Sequence, residues 1–303
     1  MRSIIPESEQ IVALDTKIGW ELRNTEPAWL KTFVSMSQSG YHFCISDIFI
    51  AEFFNQLETG RLTPAEFMHA VKQMDRFISG MLPILPGKRQ LYQITGIHNP
   101  EMPQAEKPGF TQADSIAKWN WMKSITDYAS LSTNPTAFTY NGQALEHTFQ
   151  QGVVNAELQL ERDTWIALIE SFDSEPKDTL YLQRDNRLAK MRSDIDSDSH
   201  CVPPASTRYD LLLKFLLETA IQRNQSVGEF NPKKTKRLND AIDSLLLLTF
   251  LLPGFVCTTD TPFVSRFDPI KSFQKEWFIT PNQLATQWIN GTNPRTIWPE
   301  NIP

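Results

Sequence analysis

Cysteine is scarce in this chain. There are three in 303 residues, Cys44, Cys201 and Cys257, far apart and with no CxxC pair or zinc spacing among them. So sparse and odd a count points to a reducing compartment. An excess of positive charge is also missing. Lys and Arg total 29 against 35 Asp and Glu, a net charge of −6. The chain therefore cannot coat a nucleic acid by bulk charge, and any polyanion site must be a local patch. The longest apolar run, Leu245 to Leu252, is interrupted by Thr249 and stopped by Pro253-Gly254. A membrane span needs ~20 apolar residues, so this run is expected to be a buried helix, with no membrane partner. At the N-terminus, Arg2, Ile4 and Ile5 are followed at once by Pro6, Glu7 and Glu9. That is no signal peptide, and the cytoplasm is the expected location. Internal repeats, low-complexity tracts and GxSxG, Walker and GxGxxG motifs are absent as well.

What is present is a chain able to fold. Apolar residues make up 41% and charged residues 21%, which excludes global disorder. Composition divides it into three parts. In the first, residues 1–85, Ile11-Val12-Ala13-Leu14 reads as a strand buried on both faces and ends in Asp15. A helix is expected from Pro27 through Phe33, and a second strand over Tyr41 to Ile45. Ser46 then caps a helix from Asp47 to Leu57. Thr63-Pro64-Ala65-Glu66 spells a capping box with Pro at the first helical position. Met81 to Leu85 is a candidate third strand despite Pro83.

The middle part, 86–204, carries eight of the twenty prolines. Helices are expected over Thr111 to Ser130 and Gln143 to Phe172, with turns at Asn134-Pro135 and Asn141-Gly142 between them. The polar stretch Ser171 to Ser206 is expected to be an exposed loop. In the last part, 205–303, helices are expected over Tyr209 to Ile221, Leu238 to Leu252 and Pro281 to Ile289. Strands are expected over Phe255 to Thr258 and Trp277 to Ile279. The order describes an α/β fold: a parallel sheet flanked by helices, with a large, mainly helical insertion over 86–204.

The informative pattern is where carboxylates fall. Asp15 and Asp260 each stand where a strand ends, and sites in open parallel sheets form outside those ends. Glu52 lies inside an otherwise apolar helix, Ile48 to Phe54, and Asp240 and Asp243 share one face of the helix that feeds the Asp260 strand. Each has an ordinary reading taken singly. Asp15 and Asp260 could cap helices, Glu52 could sit on a solvent stripe with Gln56, and Asp240 could favour a helix dipole. Taken together they are harder to dismiss. Two carboxylates ~5 Å apart repel by ~3 kcal/mol at an effective dielectric near 20. Four would cost an amount comparable to a domain's stability of ~5–15 kcal/mol. Such a cluster requires a cation, protonation or wider spacing. Oxygen-only ligation favours Mg²⁺ or Mn²⁺, and such an ion among carboxylates suits phosphodiester hydrolysis. Lys233, Lys234, Lys236 and Arg237 place four cations within five positions just before Asp240. They are candidates for nucleic-acid backbone contacts, or equally for a solvated loop.

These residues resemble the PIN-domain nuclease family. The matching segments are Ile-Val-Ala-Leu-Asp15-Thr16, Ser46 with Glu52, Asn239-Asp240-Ala241-Ile242 and Thr258-Thr259-Asp260 with Phe263. The resemblance covers about 10–85 and 205–285. It implies a parallel, Rossmann-like PIN sheet and a Mg²⁺- or Mn²⁺-dependent endonuclease. The expected activity is an endoribonuclease of toxin or antiviral-defence type, held by an inhibitory protein partner or assembled as a homo-oligomer. It also implies that Asp15, Glu52, Asp240 and Asp260 bind metal with Asp243 as an auxiliary acid. Thr258 or Thr259 would orient metal or water, and Thr16 and Ser46 would support the acids. PIN domains are usually about half this length, so the middle part is extra. A catalytically silent PIN-like module that binds RNA or protein through the aromatic-rich insertion is the alternative.

Three other signals are set aside. Asp194-Ile195-Asp196-Ser197-Asp198 imitates a calcium loop, but Ser199 and Ala205 stand where Gly and Glu are required. Trp119, Trp121 and Tyr128 could stack bases, yet helical spacing makes core positions the commoner role. A haloacid-dehalogenase phosphatase would want a second Asp where Lys17 stands.

Overall fold

The computed structural model describes residues 9–95, 111–127, 139–140, 143–144, 153–197, 199, 201–225 and 240–299. The four basic residues 233, 234, 236 and 237, and Tyr128, lie outside the described residues.

Four strands form one sheet: β1 (Gln10–Leu14), β2 (Tyr41–Ile45), β5 (Gly254–Cys257) and β6 (Phe278–Ile279), in the order β2-β1-β5-β6 and all parallel. Every residue of β1, β2 and β5 is buried. The period-two alternation of a strand sorts them between two cores. Val12, Leu14, Phe43, Ile45, Phe255 and Cys257 enter one hydrophobic cluster, and Ile11, Ala13, Cys44 and Val256 enter the other. This is why these runs read as continuously apolar rather than alternating.

Between β1 and β2 lie α1 (Thr16–Leu22) and α2 (Leu30–Ser37); α3 (Asp47–Glu58) and α4 (Pro64–Met74) follow β2. Ser46 caps α3 by accepting from Phe49 N at 3.2 Å. The capping box of Thr63 and Glu66 opens α4 as expected. The middle of the chain contributes α5 (Lys88–Thr95), α6 (Gln112–Ser124), a short hairpin of β3 (Thr139–Tyr140) with β4 (Gln143–Ala144), α7 (Val153–Glu170), α8 (Thr179–Leu182) and α9 (Arg184–Ser197). Then come α10 (Ala205–Arg208), α11 (Asp210–Gln225), α12 (Asp240–Leu246), α13 (Thr261–Ser265) after β5, and α14 (Pro281–Ile289). None of the helices described is long and apolar enough to cross a membrane.

Several expectations are corrected. Residues 81–85 are not a strand. The segment meets β2 only through one isolated bridge, Ile45 to Ile84, with a second from Phe43 to Ile78 just before it, because Pro83 offers no amide to continue a ladder. The helix expected from Pro27 begins at Leu30, and α1 was foreseen only as a helix that Asp15 could cap, with no range of its own. The stretch 171–206 is not an exposed loop: it holds a 3₁₀ turn at Ser171–Ser174 and three helices. The helix expected over 143–172 starts at Val153, since Gln143 and Ala144 pair in the hairpin. The helix expected over 111–130 ends at Ser124. The one expected to reach Leu252 is α12 followed by a 3₁₀ turn, Leu247–Leu251. Trp277 belongs to the 3₁₀ turn Phe273–Trp277, not to β6.

The middle of the chain is fastened to the segment beside β2. Ser115 of α6 accepts from Ile84 N and donates to Ile84 O, at 2.9 and 2.7 Å. Trp119 Nε1 donates to Asp75 at 2.9 Å. Trp119 and Trp121 are buried in the same cluster as Val12. They are core residues, not a stacking platform.

Candidate active site

The chain leaves β1 for β2 on one side and returns to the other side of β1 as β5, then moves on to β6. The connection direction therefore reverses between β1 and β5, and the crevice beyond their carboxyl ends is where an open parallel sheet builds a site. Register places Leu14 beside Cys257. The next residues, Asp15 and Thr258, thus meet. Asp15 N donates to Cys257 O at 3.0 Å, extending the ladder by one bond. Thr258 Oγ1 donates to Asp15 Oδ2 at 2.5 Å.

Asp15 stands at the cap position of α1 but its side chain makes no capping bond. Its carboxylate is turned to the crevice. Glu52, on α3, does not face solvent with Gln56. It accepts from Thr16 Oγ1 at 2.5 Å and, with Asp15, Thr16, Ser46 and Asp243, lines one cleft of about 240 Å³, part of it open to solvent. Asp243 reaches the same cleft from α12. Asp240, one turn earlier, is 2% exposed, and Arg266 Nη1 lies 2.6 Å from both Asp240 Oδ1 and Asp243 Oδ2. Asp260 performs the ordinary role: it caps α13 by accepting from Phe263 N at 3.1 Å. It also pairs with Lys17 Nζ at 2.8 Å. Thr259 is half-buried in the turn before it.

The electrostatics record the crowding. The Glu52 carboxyl is raised to about 7, chiefly by burial; the Thr16 hydrogen bond and the nearby Arg162 of α7 oppose the rise and the charges of Asp15 and Asp260 add to it. Asp243 is likewise raised to about 7, chiefly by burial, with Arg266 opposing and Glu52, Asp240 and Asp15 adding to the rise. Asp15 is raised by burial and by Asp260, with Thr258 opposing. All five acids therefore belong to one electrostatic neighbourhood.

Sequence reasoning missed the cations. Lys17, two residues past Asp15, Arg266, at the end of α13, and Arg162, in α7, all act on these acids. The i, i+2 spacing of Asp15 and Lys17 was the one local signal. Arg266 reaches its partners across 26 and 23 residues.

The donor set is suited in kind to a hard divalent ion: all oxygen, half-buried, and short of positive charge at Asp15 and Glu52, while Arg266 already pairs with Asp243. Thr258, Thr16, Arg266 and Lys17 each hold a carboxylate in its present direction. Among the described residues, no three Asp, Glu, His or Cys side chains converge as a ready metal-binding group. The acids are thus of the right kind for a cation but are not grouped around one point. Comparison with models of known protein families, with curated proteins and with solved structures finds no match.

Proposed function

We propose that the chain is a metal-dependent endonuclease of PIN-like type that hydrolyses phosphodiester bonds, with RNA as the preferred substrate. One observation carries the reading. Asp15, Glu52 and Asp243 come from three separate elements to line one cleft at the switch point of the sheet, and each has its carboxyl raised by burial and by neighbouring acids. At pH 7 and above such an arrangement costs the fold stability, which points to a use in what it binds.

Asp15, Glu52 and Asp243 would hold Mg²⁺ or Mn²⁺, with Asp240 and Asp260 flanking them. The ion, when bound, supplies activation of water and steadies charge on the phosphoryl group. The chain's own residues do the rest. Thr258 aims Asp15 and Thr16 aims Glu52. Lys17 and Arg266, which stand beside the acids, would be placed to pair with phosphate oxygens. Lys233, Lys234, Lys236 and Arg237, immediately before α12, would follow the backbone of the polynucleotide. Repression by a protein partner, as for a toxin or defence nuclease, is the context that the PIN resemblance implies.

The test is cleavage of labelled RNA, single-stranded DNA and duplex DNA by the purified protein, with Mn²⁺ and with chelator. RNA is cut only with metal, and Asp15→Asn or Glu52→Gln abolishes cutting while the protein stays folded. Full activity in both variants overturns the proposal.

One observation favours a second reading, a catalytically silent module that binds RNA or protein. Arg266 and Lys17 already neutralise Asp240, Asp243 and Asp260. Calorimetry with Mn²⁺ separates the two. Binding lost in Asp243→Asn supports the nuclease, and identical weak isotherms support the module.

A further inference from the structure

Helix α7 carries one charged residue where packing would place an apolar one. Its buried face runs through Leu158, Trp165, Ile166 and Ile169. Arg162 follows Leu158 by four positions and precedes Trp165 and Ile166 by three and four, so it stands on that same face. Leu158 belongs to the cluster that holds the phenylalanines of α3, and Trp165 and Ile169 belong to the one that holds Leu246 of α12. Arg162 therefore sits where α7 passes from one cluster to the other. The helix packs against α3 and α12 alike. These are the two helices that wall the acidic cleft, through Phe49 and Glu52 on one and Ile242 and Asp243 on the other. The apolar residues of the stripe are at most 9% exposed, yet Arg162 keeps partial exposure.

The Glu52 carboxyl lies close enough to feel the charge of Arg162. Opposite charges between packed helices are commonly no more stabilising than apolar residues in their place, so packing alone does not account for an arginine here. Its chemistry suits a second acceptor. A guanidinium carries five donors in a rigid fork, and one edge can face a carboxylate while another faces a phosphate. Lys17 reaches the acids from α1 and Arg266 from the end of α13. Arg162 adds a cation from a third element.

We propose that Arg162 is a substrate-binding residue: its guanidinium takes a phosphate of the polynucleotide in the acidic cleft, so that the middle part of the chain supplies one side of the site. The inference rests on the nucleic-acid reading for the identity of the ligand. It adds to that reading a helix, α7, among the elements that hold the strand.

The experiment is fluorescence anisotropy of a labelled single-stranded RNA with the full chain, in chelator so that nothing is cut, over about 50 to 200 mM salt. Arg162→Gln should weaken binding roughly ten- to a hundredfold. It should also flatten the slope of log affinity against log salt by about 0.7, the share of one phosphate on a single strand. Arg162→Lys keeps the charge but not the fork. It should bind more weakly than the parent with the parent's slope, which keeps the test decisive if Arg162→Gln fails to fold. An arginine that served only as counter-charge to Glu52 would lose its effect once Glu52 is neutral. The loss on Arg162→Gln should instead persist in the Glu52→Gln background. No binding by the parent, an unchanged slope in Arg162→Gln, parent-like affinity in Arg162→Lys, or a loss that vanishes beside Glu52→Gln overturns the assignment. Cleavage with Mn²⁺ by a protein whose RNA binding ignores Arg162 removes this contact and leaves the nuclease. Arg162-dependent binding without cleavage does the reverse.

Discussion

Glu52 shows what one side chain can report about the whole cluster. Its carboxyl and that of Asp243 are raised to about 7, from ordinary values of 4.5 and 3.8. The folded protein therefore holds protons at these sites that the unfolded chain has already released. The stabilising contribution is complete below about pH 4 and is lost as pH rises through about 7. Glu52→Gln removes its share of that loss, and the glutamine oxygen can still accept from Thr16. Urea denaturation in chelator should show the variant more stable than the parent at pH 8, by roughly 1–3 kcal/mol, with the two converging near pH 4. A parent whose stability does not fall between pH 5 and 8 would mean that the acids do not crowd. At this scale Asp15 and Glu52 were legible because each interrupts or ends an apolar run. Arg266 was not, since nothing local marks a cation whose partners lie more than twenty positions away.

Helix α1 is set by its glycine. A Cβ on Gly19 would fall 2.8 Å from Phe49 Cζ and 3.0 Å from Phe53 Cε2, both rings of α3 buried in the core. The close approach of α1 to α3 is also what brings Thr16 to Glu52. Gly19→Ala should destabilise the fold by about 1–3 kcal/mol through overpacking. It should also shift the Glu52 titration, read by following stability against pH. An unchanged urea midpoint would show that the helices have room to spare. Strands β1, β2 and β5 and the capped helices α3, α4 and α14 were readable, because burial on two faces and capping boxes leave local marks. Helix α1 was not: Thr-Lys-Ile-Gly-Trp-Glu-Leu has a glycine at its centre and gets its helicity from packing. The polar 171–206 stretch misled for the converse reason. Leu188, Met191 and Ile195 of α9 press only part-buried against the core, too thin a stripe to stand out among charges.

On the scale of the molecule, the 86–204 segment is no detachable appendage. Trp119, Trp121, Met122, Ile125 and Leu158 share one cluster with β1 and α3, while Leu91, Trp165 and Ile169 share the other with β5. Excising residues 86–204 should leave a chain that loses its sharp urea transition and binds a hydrophobic dye, as expected when specific packing fails. A sharp transition in the shortened chain would show that the outer parts fold alone. The sequence marked this segment by its prolines and its polarity. It could not show that the segment's tryptophans complete the core, since helical spacing says which face is apolar and not what covers it.

The segment beside β2, with its two bridges in place of a strand, has a consequence for the protein in company. Phe43 O accepts from Ser79 N, Ile45 N donates to Pro83 O, and Ile45 O accepts from Leu85 N. The outer margin of the sheet is thus occupied by irregular backbone, with a proline at its middle, and the opposite margin, β6, is two residues long. Neither border offers a length of vacant amides and carbonyls on which a stranger's extended chain could zip. Fibre growth by strand addition to this sheet is closed to the native state and must wait for unfolding.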